Sequence, residues 1–267
     1  MKILVTGATG NVGRLVVDEL LAAGATDVRA LTTNPKKAAL PAGVEVVTGY
    51  LGRPDTMPAA LDGVDRMYLA PLLSTVEDVT RLAREAGVRR IVDLAGGRDT
   101  DWYAVEQAVE ASGVAWTHLE AGEFMPNVAM WAAEIRTGDV VHDAYPDSAN
   151  AMIALEDIAA VAARVLLDDG HEGRTYELTG PETLTRREKV RQIGAALGRD
   201  ITYVEVTHAE AVARLEPAMG EYAAWYVDGV ALTARHPQQA VPTVREITGR
   251  PGTTFARWTA ANAAMFR

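Results

Sequence analysis

The chain contains no cysteine, which excludes disulfides, thiolate metal ligands and cysteine nucleophiles together. Basic residues are the minority charge: 26 Lys and Arg stand against 36 Asp and Glu, a formal charge of -10. A surface of that sign repels duplex nucleic acid and anionic membranes on average, so neither is expected as a partner. The histidines, His118, His142, His171, His208 and His236, are scattered without metal-ligand spacing, and no structural metal is expected. No stretch approaches the roughly 18 consecutive apolar residues of a membrane span. The opening residues run directly into a strand pattern, Lys2 to Thr6, without the basic region, apolar core and small-residue cleavage site of a signal peptide. The expectation is a cytoplasmic protein.

What is present suits a globular fold, since 267 residues at 48% hydrophobic content can bury a sizeable core. The first half alternates short apolar runs with amphipathic stretches, the signature of a parallel sheet covered by helices. Strands are expected at Lys2 to Thr6, Asp27 to Leu31, Val44 to Thr48, Arg66 to Ala70, Arg90 to Leu94 and Ala115 to Glu120. Helices are expected at Val12 to Ala23, Asp55 to Leu61, Val76 to Ala86 and Trp102 to Ser112, several closed by a glycine. After Glu120 the rhythm changes. Helical period returns over Phe124 to Ile135, Glu156 to Leu167, Arg186 to Leu197 and Tyr222 to Ala234, with strand-like segments at Met152 to Leu155, Thr175 to Thr179 and Thr202 to Val206. The fold class read from this pattern is α/β, a doubly wound parallel sheet with a smaller C-terminal α+β lobe. The boundary is placed at residues 1–122 and 123–267, the lobe being interleaved with the core and covering the strand ends, where ligands of open α/β sheets bind.

Directly after the first strand stands Thr6-Gly7-Ala8-Thr9-Gly10-Asn11-Val12-Gly13, and a helix opens near Val12. Gly7 permits the tight turn, Gly10 lets backbone amides approach a pyrophosphate, and Gly13 lets the helix pack closely. The helix N-terminus faces the anion with unpaired N–H groups and partial positive charge. Strand, glycine triplet and helix together read as a Rossmann-type dinucleotide site. The end of the second strand, Leu31-Thr32-Thr33-Asn34-Pro35-Lys36-Lys37, has no carboxylate to bind ribose hydroxyls and repel a 2′-phosphate. NADP is therefore expected over NAD, held through hydroxyls, Asn34 and Lys36.

These residues resemble the NmrA-like group of atypical short-chain dehydrogenase/reductases, which includes NADPH-dependent quinone reductases and isoflavone-reductase-like enzymes. The likeness runs from Val5-Thr6-Gly7-Ala8-Thr9-Gly10-Asn11-Val12-Gly13 through Asn34-Pro35-Lys36-Lys37-Ala38, Gly63-Val64-Asp65 and Ala111-Ser112-Gly113-Val114. It continues at Glu156-Asp157-Ile158-Ala159 and Tyr176-Glu177-Leu178-Thr179-Gly180-Pro181. It implies cofactor contacts at Gly7, Thr9, Gly10, Asn11, Val12 and Gly13, at Thr32, Thr33 and Asn34, and beside the nicotinamide ribose at Ala70, Pro71 and Leu72. The chain departs from its relatives in three places: Thr33 stands where NADP-using members commonly have arginine, Tyr50 where many have aspartate, and Glu120 where many have arginine.

The short-chain dehydrogenase dyad pairs a tyrosine with a lysine four residues on, whose charge lowers the phenol pKa. Here Tyr103 is followed by Gln107, so Tyr103 can donate a hydrogen bond without that activation. Glu120 and Glu123 bracket Gly122 just past the sixth strand, and a carboxyl buried there would have its pKa raised toward neutrality. Glu120, Glu123 and Tyr103 are thus the candidate catalytic residues. Serine-hydrolase and P-loop chemistry lack their motifs. Three functions stay open: NAD(P)H-dependent reduction of a carbonyl, quinone or enone small molecule; redox sensing by cofactor binding without turnover; and a non-redox isomerase, dehydratase or cyclase reaction at Glu120 or Glu123. A homodimer is compatible with each.

Overall fold

The computed structural model describes residues 1–98 and 100–267. The apolar runs of the first half become β1 (Ile3–Val5), β2 (Val28–Thr32), β3 (Glu45–Thr48), β4 (Arg66–Leu69), β5 (Arg90–Ala95) and β6 (Ala115–Ala121). Between them lie α1 (Asn11–Ala22), α2 (Pro58–Leu61), α3 (Val76–Glu85) and α4 (Tyr103–Ala111). The chain continues through α5 (Ala132–Gly138), β7 (Val140–Asp143), β8 (Ala149–Asn150), α6 (Leu155–Leu167), β9 (Arg174–Leu178), β10 (Leu184–Thr185) and α7 (Arg186–Leu197). It closes with β11 (Thr202–Glu205), α8 (His208–Met219), α9 (Tyr222–Arg235), α10 (Thr243–Thr248) and α11 (Phe255–Ala261).

Seven strands form one sheet in the order β3-β2-β1-β4-β5-β6-β9, and every neighbouring pair is parallel. This is the Rossmann-like α/β fold. Strand order reverses at β1 and β4, so the crevice for a ligand opens at their carboxyl ends. The central strands are buried on both faces, as parallel sheets require. On one face α3 and α4 pack Val79, Ala83, Val105 and Val109 against Leu4, Leu69 and Ile91. On the other, α1 packs against α6.

The expectation of six strands is corrected to seven. Thr175 to Thr179, read as part of the smaller lobe, supplies β9, which extends the main sheet at its β6 edge with Leu119 opposite Tyr176. The preceding α6 belongs to the same layer: eight of its apolar positions, Ile158 to Ala163 with Val165 and Leu166, are buried. A helix apolar around most of its circumference needs cover on several sides, and the alanines let α1 lie close against it.

Two compact units result. Unit 1 comprises Met1–Ala121, Leu155–Leu178 and Thr243–Arg250; unit 2 comprises Gly122–Ala154, Thr179–Pro242 and Pro251–Arg267. Unit 2 holds two small sheets, β7 with β11 and β8 with β10, around Met125, Trp131, Ile135, Ile193, Phe255, Trp258 and Phe266.

Prolines account for two further differences. The helix expected at Asp55 to Leu61 is a 3-10 turn, Pro54–Thr56, followed by the short α2 from Pro58. The one expected at Phe124 to Ile135 begins as a 3-10 segment, Met125–Trp131, because Pro126 withholds a backbone donor. Helix α8 was not expected, although Thr207 and Glu210 cap it reciprocally. Among the described residues no helix is long and apolar enough to cross a membrane.

Candidate active site

The turn after β1 is closed by the Gly10 amide donating to the Gly7 carbonyl at 2.8 Å. Gly7 has φ +60, a left-handed conformation that side chains rarely adopt, and a Cβ there would lie 2.9 Å from Ala70 Cβ. A Cβ on Gly13 would come within 2.2 Å of the Gly7 carbonyl oxygen. The first turn of α1 therefore sits directly on the turn after β1, at a distance only glycine permits. Gly10 is the N-cap and offers no side-chain acceptor to the first amides of the helix, which leaves them for an anion. This is the cradle a pyrophosphate needs, so the residues present fit a dinucleotide.

Behind the cradle, the buried Thr6 hydroxyl donates to the Tyr68 carbonyl at 3.0 Å and accepts from the Ala70 amide at 2.8 Å. It ties the ends of β1 and β4 together at the switch point. The other expected cofactor segments follow the carboxyl ends of adjacent strands. Thr32 is buried and accepts from the Asn34 amide, while Thr33, Asn34 and Lys36 are exposed; Ala70, Pro71 and Leu72 are half-buried. Thr9 and Asn11 are exposed at the cradle itself, and Val12 is buried beneath it. A residue outside the sequence-based candidates joins them: Arg14 of α1 donates to the Ala39 carbonyl at 2.8 Å, which brings a guanidinium to the loop after β2.

Farther along the same sheet edge, Glu120 is the penultimate residue of β6 and is half-buried. Glu106 of α4, only 4% exposed, is near enough to feel its charge. Burial first, and then the neighbouring Glu120, push the Glu106 carboxyl up to about 7 against the pull of His118. Deeper in the sheet, His118 Nδ1 lies 2.7 Å from Asp93 Oδ2, both side chains being fully buried. Burial opposes the imidazolium, but the bond to Asp93 and the charges of Asp93, Glu106 and Glu110 outweigh it and hold the His118 pKa above its ordinary value. None of Asp93, Glu106 and His118 was among the sequence-based site residues. The available signal was an ionisable residue in the middle of an otherwise apolar parallel strand, Arg90-Ile91-Val92-Asp93-Leu94-Ala95, where burial demands a partner.

The other two catalytic candidates stand elsewhere. Tyr103 opens α4 with the Arg98 guanidinium 5.5 Å from its ring centroid. Glu123 belongs to unit 2, where Oε2 accepts from Asn150 and Oε1 from Tyr226, at 2.7 and 2.8 Å. That network continues through Lys189, bonded to Asn150, and through Arg186, bonded to Tyr226 and Asp143. Burial lowers the Lys189 ammonium to about 8. Arg186 stacks over Trp131, whose indole N–H also donates to Asp143.

The family described as NAD(P)H-binding matches residues 7–169. Over 99% of both chains, the sequence is 37% identical to a (4-alkanoyl-5-oxo-2,5-dihydrofuran-3-yl)methyl phosphate reductase of Streptomyces griseus. It is 35% identical, again over 99% of each chain, to an NAD(P)H azoreductase of Xenophilus azovorans. The crystal structure of an NADPH-dependent quinone oxidoreductase of Escherichia coli complexed with NADPH superposes with a TM-score of 0.88 at 27% identity, covering 97% of this chain and 99% of that one. With the glycine cradle at the switch point of a seven-stranded parallel sheet, these relationships place the chain in the NAD(P)H-binding family, among the NmrA-like atypical short-chain dehydrogenase/reductases that work as NAD(P)H-dependent oxidoreductases.

Proposed function

We propose that this enzyme uses NADPH to reduce a conjugated, electron-poor small molecule, an enone or quinone, with Glu120 as the proton donor. The observation that carries the reading is the glycine cradle of Gly7, Gly10 and Gly13 at the β1–β4 switch point, with the half-buried Glu120 at the carboxyl end of β6 in the same sheet. β6 stands three strands from β1 in that sheet, about 14 Å at the usual strand spacing. Pyrophosphate binding and proton donation are thereby separated along one edge, as a dinucleotide spanning a crevice requires.

NADPH, when bound, supplies the reducing equivalents. The chain's own residues do the rest. Gly7, Gly10 and Gly13 admit the pyrophosphate, with Thr9 and Asn11 at the exposed rim and Val12 packed beneath. Thr32, Thr33, Asn34 and Lys36 receive the adenosine ribose, with Arg14 and Lys36 as the cations for a 2′-phosphate. Ala70, Pro71 and Leu72 flank the nicotinamide ribose. A half-buried carboxyl at the end of β6 is placed to donate a proton to a developing oxyanion or carbanion. Glu123 is assigned to holding unit 2 together, because both its oxygens are occupied. Tyr103 is retained as a hydrogen-bond donor to substrate. The relatives support the substrate class: their names specify an acyl-substituted dihydrofuranone phosphate, an azo-reducing activity and a quinone. An acidic, cysteine-free chain using NADPH is assigned to the cytoplasm.

The test is calorimetric titration with NADPH and NADH, followed by an absorbance screen of NADPH consumption against enones, quinones and azo compounds. Tighter binding of NADPH and acceptor-dependent turnover are expected. Tight binding without turnover across that panel would replace the reductase reading with a redox-sensing one.

A further inference from the structure

We propose that helix α9 is a contact surface for a second copy of this chain, the two helices pairing antiparallel with each Trp225 seated over the partner's Gly229. This goes beyond the reductase reading and does not depend on it.

The surface follows from the periodicity of one helix. α9 turns Ala223, Val227 and Val230 inward, where Val227 packs with Ala144 and Ala211. On its outer side Tyr222, Trp225, Gly229 and Leu232 recur at intervals of three, four and three residues, the spacing of a coiled-coil seam. Tyr222 is 64% exposed, Trp225 65% and Leu232 59%. Single apolar residues on a surface are ordinary, whereas three on one stripe mark a contact. Among the described residues, every large hydrophobic side chain exposed in unit 2 lies on this stripe.

The stripe is self-complementary, as a twofold contact requires. A Cβ on Gly229 would meet nothing within 4 Å, so the helix carries an open notch one turn from its largest exposed ring. Antiparallel pairing lays Trp225 across the partner's Gly229 and Tyr222 against the partner's Leu232, the larger side chain of each layer facing the smaller. Both pairs are centred on the same point of the helix, so one axis satisfies them together. The flank agrees in charge. Glu221, the N-cap, and Arg235, the last residue of α9, are exposed, and their midpoint lies one residue from that of the apolar pairs. The same axis therefore brings Glu221 to the partner's Arg235 twice. Among the described residues neither side chain is paired within its own chain. Parallel pairing would instead set like charge against like. Asp228 falls beside the axis and faces the partner's Asp228, the one unfavourable contact, with its own His208 Nε2 3.6 Å away. An anionic membrane is the poorer occupant of this stripe, because the chain carries a formal charge of -10.

Size sets the strength. At roughly 150–250 Å² for a wholly buried aromatic side chain, the exposed parts of Tyr222, Trp225 and Leu232 offer about 350 Å² per chain. With the charged flank the pair buries about 1,000 Å² in all, at the low end of specific interfaces. The dimer is therefore concentration-dependent, with a dissociation constant on the order of micromolar or weaker.

The experiment is sedimentation equilibrium of the full chain from about 1 μM to about 1 mM, with Trp225→Ala, Gly229→Leu, Asp228→Asn, Glu221→Arg and Arg235→Glu beside wild type. Wild type is expected to pass from monomer to dimer across that range. Trp225→Ala and Gly229→Leu should weaken association at least about tenfold, while circular dichroism of the dilute chain stays as in wild type because both positions are exposed. Asp228→Asn should tighten the dimer by removing the like-charge contact. Glu221→Arg and Arg235→Glu should each weaken it alone, and mixing the two should restore it as a heterodimer, since each variant then presents the charge the other lacks. A wild type that stays monomeric to the highest concentration, a dimer indifferent to Gly229→Leu, or a mixture of charge variants that associates no better than either alone overturns the proposal. No readout here uses cofactor or turnover, so failure of the reductase reading leaves this result untouched.

Discussion

Asp93 and His118 lie opposite one another on adjacent parallel strands, Oδ2 to Nδ1 2.7 Å, with neither side chain reaching solvent. This fixes the direction of the protein's pH response. His118 has its folded pKa raised, so its contribution is fully present below the unfolded value and is lost as pH rises through the folded one. Glu106, raised from 4.5 to about 7, has the same sign: its stabilisation is complete below 4.5 and fades as pH climbs to and beyond 7. Urea unfolding followed across pH should therefore show stability declining from mildly acidic to alkaline conditions, with Glu106 contributing roughly 3 kcal/mol at most. Glu106→Gln should flatten that decline. A stability that rises between pH 5 and 8 in wild type would contradict it.

Removing one member of the buried pair leaves the other without a counterpart. His118→Ala is expected to cost about 3–5 kcal/mol, and Asp93→Asn somewhat less because an amide still accepts from the imidazole. Denaturant melts of the two variants at a common pH check the ranking.

The glycines of the cradle should separate stability from binding. Gly13→Ala places a Cβ 2.2 Å from the Gly7 carbonyl, so it should both destabilise the fold by about 2 kcal/mol or more and abolish NADPH binding. Gly10→Ala meets the same carbonyl at 3.2 Å and should fold with little loss, yet bind NADPH more weakly. Calorimetry paired with thermal melts distinguishes the two; equal effects of both variants on both measurements would refute this reading of the turn.

At the switch point, Thr6→Val keeps the shape and leaves the Tyr68 carbonyl bonded to the backbone amide of residue 6, but strands the part-buried Ala70 amide. A loss of about 1–3 kcal/mol is expected, while Thr6→Ser retains the hydroxyl and most of the stability. Chemical denaturation of both variants is sufficient.

Cofactor preference should respond to charge after β2. Thr33→Asp introduces the carboxylate that the segment lacks and should move the NADPH-to-NADH affinity ratio toward NADH by at least about tenfold. Arg14→Ala and Lys36→Ala should weaken NADPH and leave NADH nearly unaffected. The dissociation constants of both cofactors, measured at fixed salt, decide it.

Much of unit 1 was legible in the chain itself. The apolar runs and their spacing specified six parallel strands and their crossovers, because strand and helix periodicity are local properties. The Gly7-Gly10-Gly13 spacing specified the cradle, because a positive φ and a missing Cβ are properties of the residue. The absence of cysteine and the acidic charge bounded the chemistry in the same way. Tertiary structure alone decided that β9 joins the main sheet and that α6 lies against α1, since pairing between segments far apart in sequence depends on which surfaces are left to bury. It alone decided the roles of the carboxyls. Glu120 and Glu123 are three residues apart and alike in sequence, yet one stands half-buried at the end of β6 near the buried Glu106 while the other has both oxygens taken by Asn150 and Tyr226. A carboxyl's protonation is set by burial and by neighbours, and those arrive only when α4 folds onto β6 and β8 and α9 come together around Glu123.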